Sequence, residues 1–145
     1  MGLNMRAVYL LDTNIISEIL KPNQNQGVME NLIKRSDLCA ICSTVWQEAI
    51  YGCELLPEGK KKEKIKDYLA KVKENFEILP YTRYASEICG EIKARCKENG
   101  KTAAFSDSQI AATAIANGMV LVTHNTADYT PIAEVSNLKY EDWWA

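Results

Sequence analysis

The stretch Phe105–Asp128, "FSDSQIAATAIANGMVLVTHNTAD", decides how the rest of the chain is read. Its first half, Ser106–Gly118, is an alanine- and isoleucine-rich run of helical length that closes on a glycine, the residue suited to the left-handed turn after a helix. "MVLVT" (Met119–Thr123) is then a short continuous apolar run, which predicts a buried strand. A helix leading directly into a buried strand is half of a parallel αβ repeat. An aspartate stands at each end of the unit, Asp107 in the first turn of the helix and Asp128 beyond the strand.

The pattern recurs outward from there. "RAVYLLD" (Arg6–Asp12) predicts a buried strand that ends on an acid, and "TNIISEILK" (Thr13–Lys21) a helix stopped by Pro22. A short helix is expected over Gly27–Arg35, a strand over Asp37–Cys42 and a helix over Ser43–Leu56. A long amphipathic helix over Lys60–Phe76 carries Ile65, Leu69, Val72 and Phe76 on one stripe. "EILP" (Glu77–Pro80) reads as a strand and Arg83–Gly100 as a helix. Thr44 with Gln47, and Ser106 with Gln109, have the spacing of capping boxes. A last short strand is expected near Glu134–Val135, and "LKYEDWWA" (Leu138–Ala145) is too short to assign. Apolar strands separated by helices imply an α/β fold, a mostly parallel sheet covered on both faces.

Composition sets the bounds. A chain of 145 residues, 47% hydrophobic and 25% charged, is sized for one domain over residues 1–145. A formal charge of −2 excludes a protein that holds nucleic acid by a strong positive field alone. Any nucleic-acid chemistry here needs a local source of positive charge, such as a divalent cation. The five cysteines are an odd number in apolar surroundings, as expected of reduced core thiols. Cys39 and Cys42 lie three apart on an expected strand and so point to opposite faces, which disfavours a redox or zinc pair. No run reaches membrane-spanning length. The opening "MGLNMRAVYLLD" lacks a leader cleavage site, and Arg6 stands where a myristoylation signal needs Ser or Thr. The expected location is the cytoplasm.

In an open α/β sheet, ligands bind beyond the carboxyl ends of the strands. Asp12 follows the first strand there, and Thr123, Asn125 and Asp128 follow the fourth. Asp107 starts the helix that feeds that strand, and Glu48 lies early on the helix after the second. Singly, each has a structural use: Asp12 as a helix cap, Asp107 against a helix dipole, Asn125 and Asp128 as a cap and its partner, Glu48 as a solvated helix residue. Glu48, however, has Trp46, Ala49, Ile50 and Tyr51 around it, which predicts a mostly buried helix. Four carboxylates gathered at one sheet end repel one another unless cations neutralise them. An all-oxygen set selects hard ions such as Mg²⁺ or Mn²⁺. Trp46, Tyr51 and Tyr68 are expected in the core, and the lysine run Lys60–Lys66 as a solvated helix face rather than a patch for a nucleic-acid backbone.

"LLDTNIISEIL" (Leu10–Leu20), "STVWQEAIYG" (Ser43–Gly52), Phe105–Tyr129 and "YEDW" (Tyr140–Trp143) together resemble the PIN-domain nucleases, and among them the VapC-type toxins of type II toxin–antitoxin pairs. The pairing of D-x-x-I-A-A-T-A with L-V-T-x-N-x-x-D-Y carries most of the likeness, which runs from about Tyr9 to Trp143. It implies a three-layer αβα PIN-like fold with a central, mostly parallel sheet of four or five strands. It implies an endoribonuclease dependent on one or two Mg²⁺ or Mn²⁺ ions, with Asp12, Glu48, Asp107 and Asp128 as catalytic metal ligands and Asn14, Thr123 and Asn125 orienting ligands or phosphates. RNA as substrate, an antitoxin as partner, a homodimer and no membrane association are implied as well. Tyr129 departs from the family, which more often has Phe there, and Trp46 and Gln47 stand where aliphatic residues are frequent.

The alternative from another functional class is a catalytically silent PIN fold that binds RNA or protein. Two other sites are disfavoured by the residues themselves. An aspartyl-phosphate phosphatase wants a second aspartate where Asn14 stands. A phospho-receiver wants a lysine after the last strand, where "VTHN" (Val122–Asn125) has none.

Overall fold

The computed structural model describes residues 6–145, so the Met-Gly start weighed above as a leader or acylation signal lies outside the described residues. The chain runs β1 (Tyr9–Leu11), α1 (Thr13–Ile19), α2 (Gln26–Arg35), β2 (Cys39–Cys42), α3 (Ser43–Glu54), α4 (Lys60–Asn75), β3 (Glu77–Leu79), α5 (Arg83–Glu98), α6 (Phe105–Ala116), β4 (Val120–Val122), α7 (Thr126–Glu134) and β5 (Lys139–Glu141). The five strands form one sheet in the order β3-β2-β1-β4-β5, and every pairing is parallel. Helices flank this sheet. The α/β expectation and its strand count are met.

The order is what places the site. From β1 the chain adds strands outward to β3, then returns to β4 on the other side of β1 and continues to β5. The sheet therefore reverses its winding between β1 and β4, and the carboxyl ends of those two strands face one crevice. The ladder persists to its edge: the Asp12 N–H donates to the Val122 carbonyl at 2.9 Å, and the Thr123 N–H to the Glu141 carbonyl at 3.0 Å.

Burial follows the apolar pattern. Leu10, Leu11, Ala40, Ile41, Leu121 and Val122 of the central strands are wholly excluded from solvent, as are Ile15, Val28, Val45 and Ile132 from the helices. α6 is apolar around most of its surface and buries every residue from Ile110 to Ala114. Its end is a Schellman turn. Gly118 takes φ +64°, the Met119 N–H reaches the Ala114 carbonyl at 2.9 Å, and the chain enters β4 one residue later. The five cysteines are buried free thiols. Burial pushes Cys39 and Cys42 up to about 11, so neither is a ready thiolate.

Three local expectations fail. Neither capping box forms. In each helix the cap lies two residues before the expected one: Cys42 instead of Thr44 caps α3, and Ala104 instead of Ser106 caps α6. Instead the Thr44 hydroxyl donates to Gln109 Oε1 at 3.1 Å, so one member of each expected box joins α3 to α6. The strand expected near Glu134–Val135 is the end of α7. Tyr129 and Ile132 bury one face of that helix, and it tolerates Pro131 within its length. The fifth strand is Lys139–Glu141, inside the stretch left unassigned. Its short register against β4 supplies a pairing that no local pattern announces.

The C-terminal segment crosses the start of α2. Asn25 Nδ2 donates to the Ala145 carbonyl at 3.0 Å, and Asn25 Oδ1 accepts from the Ala145 N–H at 3.1 Å and from the Val28 N–H at 3.2 Å. Trp143 is buried against the edge of the Tyr9 ring. Gly27 makes this crossing possible, because a Cβ there would run into the Trp143 carbonyl and into Ala145. We expect Gly27→Ala to cost about 1–3 kcal/mol as an overpacked contact. Urea unfolding followed by tryptophan fluorescence measures it, and an unchanged midpoint would mean that the tail moves aside freely.

Candidate active site

Asp12 is the anchor. It is only 5% exposed and ends β1 as the N-cap of α1, with Oδ1 accepting from the Thr13 N–H at 2.8 Å. Its other oxygen, Oδ2, accepts from the Thr123 hydroxyl at 2.8 Å, the Tyr129 hydroxyl at 3.2 Å and Asn14 Nδ2 at 3.5 Å. Burial raises the Asp12 pKa. The Thr123, Thr13 and Tyr129 donors oppose that rise, and the Glu48 charge adds to it. The capping role and the site role coexist in one residue.

Asp107 stands across the crevice in the first turn of α6, half-buried, with Oδ1 3.3 Å from the Tyr129 hydroxyl. Its carboxyl is pushed up to about 6, first by burial, then by the negative charges of Asp12, Asp128 and Glu48, with the Tyr129 donor opposing. All three other candidate carboxylates therefore act on Asp107. Glu48 is tethered to the first turn of α1, accepting from the Thr13 hydroxyl at 2.7 Å. Asp128 is exposed on the first turn of α7, its N–H donating to the Asn125 carbonyl at 3.0 Å.

The three expected orienting residues also gather here. Thr123 is fully buried and, besides donating to Asp12, accepts from Asn14 Nδ2 at 3.3 Å and from the Asn125 N–H at 3.0 Å. Asn14 Oδ1 accepts from the His124 N–H at 3.3 Å. Asn125 caps α7 by position only, since its side chain makes no capping bond. Thr13 and Tyr129 were not singled out as site residues from the sequence. The signal for Tyr129 was present, a hydroxyl where the family usually has a plain ring. Thr13 carried none, because its partner Glu48 is 35 residues away.

The donor set is oxygen only and its charges are crowded, which fits a hard divalent cation. Among the described residues, no three acidic, histidine or cysteine side chains form a closed cage for an ion. The two observations agree for Mg²⁺, which keeps several waters and binds through few carboxylates. His124 is not part of this set. It stacks on Trp144 with ring centres 4.4 Å apart, and its Nδ1 lies 3.1 Å from Asp142 Oδ2.

Beside the crevice, α1, α3 and α4 enclose a cavity of about 260 Å³ lined by Ile16, Leu20, Leu56, Ile65 and Leu69, with Glu48 at its edge. A larger groove of about 730 Å³ lies between α5 and the end of α7 and includes none of the four carboxylates. Near the smaller cavity, Tyr51 is 66% exposed, against the expectation of a core residue, and Ile50 and Leu55 are exposed as well. The outer half of α3 is thus open to solvent where a mostly buried helix was expected. Trp46 and Tyr68 pack against the core. The lysine run faces solvent except for Lys62, which is buried and donates to Glu58 Oε1 at 2.9 Å and to the Glu54 carbonyl at 3.2 Å.

A β1-end aspartate, a helix-borne glutamate and two further aspartates around a β1/β4 switch point define a class. The PIN domain model matches residues 9–133, and the chain belongs to that family. Within it, the chain is 35% identical over 126 residues to Toxin FitB of Neisseria gonorrhoeae, covering 83% of this chain and 89% of FitB. It is 30% identical to Ribonuclease VapC2 of Rickettsia felis, covering 94% of this chain and 98% of that protein. The solved structure of FitAB bound to an IR36 DNA fragment superposes with a TM-score of 0.85 at 29% identity, over 95% of this chain and 96% of that one.

Proposed function

We propose that this protein is a metal-dependent endoribonuclease, the toxin of a toxin–antitoxin pair, acting as a single PIN domain in the cytoplasm. The observation that carries the reading is the gathering of carboxylates at the β1/β4 switch point, where one Tyr129 hydroxyl lies 3.2 Å from Asp12 Oδ2 and 3.3 Å from Asp107 Oδ1, and Glu48 is tied to Thr13 beside Asp12. Such crowding serves a site that receives positive charge. The similarity to proteins named ribonuclease and toxin supplies the substrate class.

Asp12, Glu48, Asp107 and Asp128 would hold one or two Mg²⁺ or Mn²⁺ ions. A bound ion of this kind supplies an acidified water and neutralises charge on the scissile phosphate. The chain does the rest. The Thr13 N–H and the Thr123 hydroxyl fix both oxygens of Asp12, and the Thr13 hydroxyl fixes Glu48. Asn14 and Asn125 would orient the RNA backbone, and the fully buried Thr123 would act by orienting Asp12 through its hydroxyl. The apolar cavity between α1, α3 and α4, lined by Ile16, Leu20, Leu56, Ile65 and Leu69, suits a segment of the cognate antitoxin. A second copy of the chain would complete the assembly.

The test is cleavage of a structured RNA pool by the purified chain in Mg²⁺, in Mn²⁺ and in EDTA. Fragments with 5′-phosphate and 3′-hydroxyl ends, absent in EDTA, are expected. Cutting that persists in EDTA would sink the metal-dependent reading. Metal binding without cutting of any RNA offered would favour the silent binding module instead.

A further inference from the structure

α7 carries Asp128 on its exposed side and Tyr129 inward, and Tyr129 is wholly buried. A buried phenol needs a partner for its O–H. Here the hydroxyl lies 3.2 Å from Asp12 Oδ2 and 3.3 Å from Asp107 Oδ1, two carboxylates from opposite walls of the crevice. One proton serves two acceptors. Burial and these two negative charges hold the phenol well above the ordinary tyrosine range, so it remains a donor at neutral pH.

The two acceptors depend on it unequally. Asp12 has three other donors in Thr13, Thr123 and Asn14. Among the described residues, Tyr129 is the only hydrogen-bond donor to Asp107. Without that bond, nothing specific opposes the repulsion that turns Asp107 away from Asp12.

We propose that Tyr129 is a positioning residue whose hydroxyl ties Asp107 to Asp12 and holds the pair set for a divalent cation. The inference rests on the metal-dependent reading above and adds a residue to it. The ring lies in the hydrophobic core and the hydroxyl bonds only to the two carboxylates, so Tyr129→Phe removes the bonds and keeps the ring. Loss of a hydrogen bond to a metal ligand typically weakens binding by about 10–100-fold.

The experiment is Mn²⁺ titration of the full chain, following free Mn²⁺ by electron paramagnetic resonance, on wild type and Tyr129→Phe, with thermal unfolding of both in EDTA. The expected result is Mn²⁺ affinity lower by about tenfold in the variant, with an apo unfolding midpoint close to wild type. Equal affinities in the two proteins would overturn the tie and leave the metal reading standing. A variant that loses its fold would make the hydroxyl a purely structural bond and overturn the tie as well. Wild type that binds no Mn²⁺ would overturn the metal reading together with this inference.

Discussion

Asp107→Asn is expected to reduce RNA cleavage by on the order of a hundredfold or more and to yield an apo protein more stable than wild type at pH 8. The first effect is expected because Asp107 would help hold a divalent cation, and that cation would offset negative charge on the reacting phosphate, a contribution of several kcal/mol. The second follows from the raised pKa. In the unfolded chain the carboxyl titrates near 3.8, and in the folded protein at about 6. Below the unfolded value both states hold the proton, and Asp107 costs the fold nothing. Between the two values the unfolded chain releases its proton first, so stability falls as pH rises. Above about 6 the full cost is present, roughly 1 kcal/mol once solvent screening of a half-buried group is allowed for. The asparagine variant lacks this slope. Its advantage should be about 3 °C in unfolding midpoint at pH 8 and vanish near pH 4. Loss of stability along with activity would return Asp107 to a purely structural role at the start of α6.

Asp12→Ala is expected to lose cleavage equally but to move stability the other way. Asp12 receives the buried hydroxyls of Thr123 and Tyr129 and caps α1 through the Thr13 N–H. Removing the carboxylate leaves those donors without their acceptor and the helix without its cap. Relief of charge crowding offsets part of the loss, and a net cost of about 2 kcal/mol remains. Urea unfolding of the apo proteins in EDTA, with Asp107→Asn beside it, reads the two signs directly. A stabilised Asp12→Ala would show that charge relief outweighs every hydrogen bond Asp12 makes.

Why those two aspartates differ was only half legible in the sequence. Their places were readable, because an acid directly after a buried apolar run, or opening the helix that feeds the next one, must lie near the strand carboxyl ends. The Gly118 turn and the buried strands were readable from the same local pattern. Partnerships formed across the sheet were not. Thr44 has the spacing to cap its own helix, yet its hydroxyl goes to Gln109, 65 residues on. A strand-like Glu134–Val135 gives way to α7 because Tyr129 and Ile132 have a core to bury into, and β5 forms where β4 offers an edge. Tyr51 reads as core by composition, yet it lies on the outer side of α3, a matter of which way the helix is turned. Each of these outcomes was decided by a neighbour distant in the chain, and local spacing holds no information about that neighbour.

The strand order has a consequence for the timing of synthesis. β1 sits between β2, which follows it closely, and β4, and the Asp12–Thr123 bond spans 111 residues. During translation the first part of the chain leaves the ribosome with Asp12 and Glu48 long before Asp107 and Asp128 have been made. Pairings of such long span close last, after the entropy of the intervening loop has been spent. A chain that stops short of β4 therefore has the aspartate of β1 but no opposite wall, and the four carboxylates can gather only once β4 has been made and slots in beside β1.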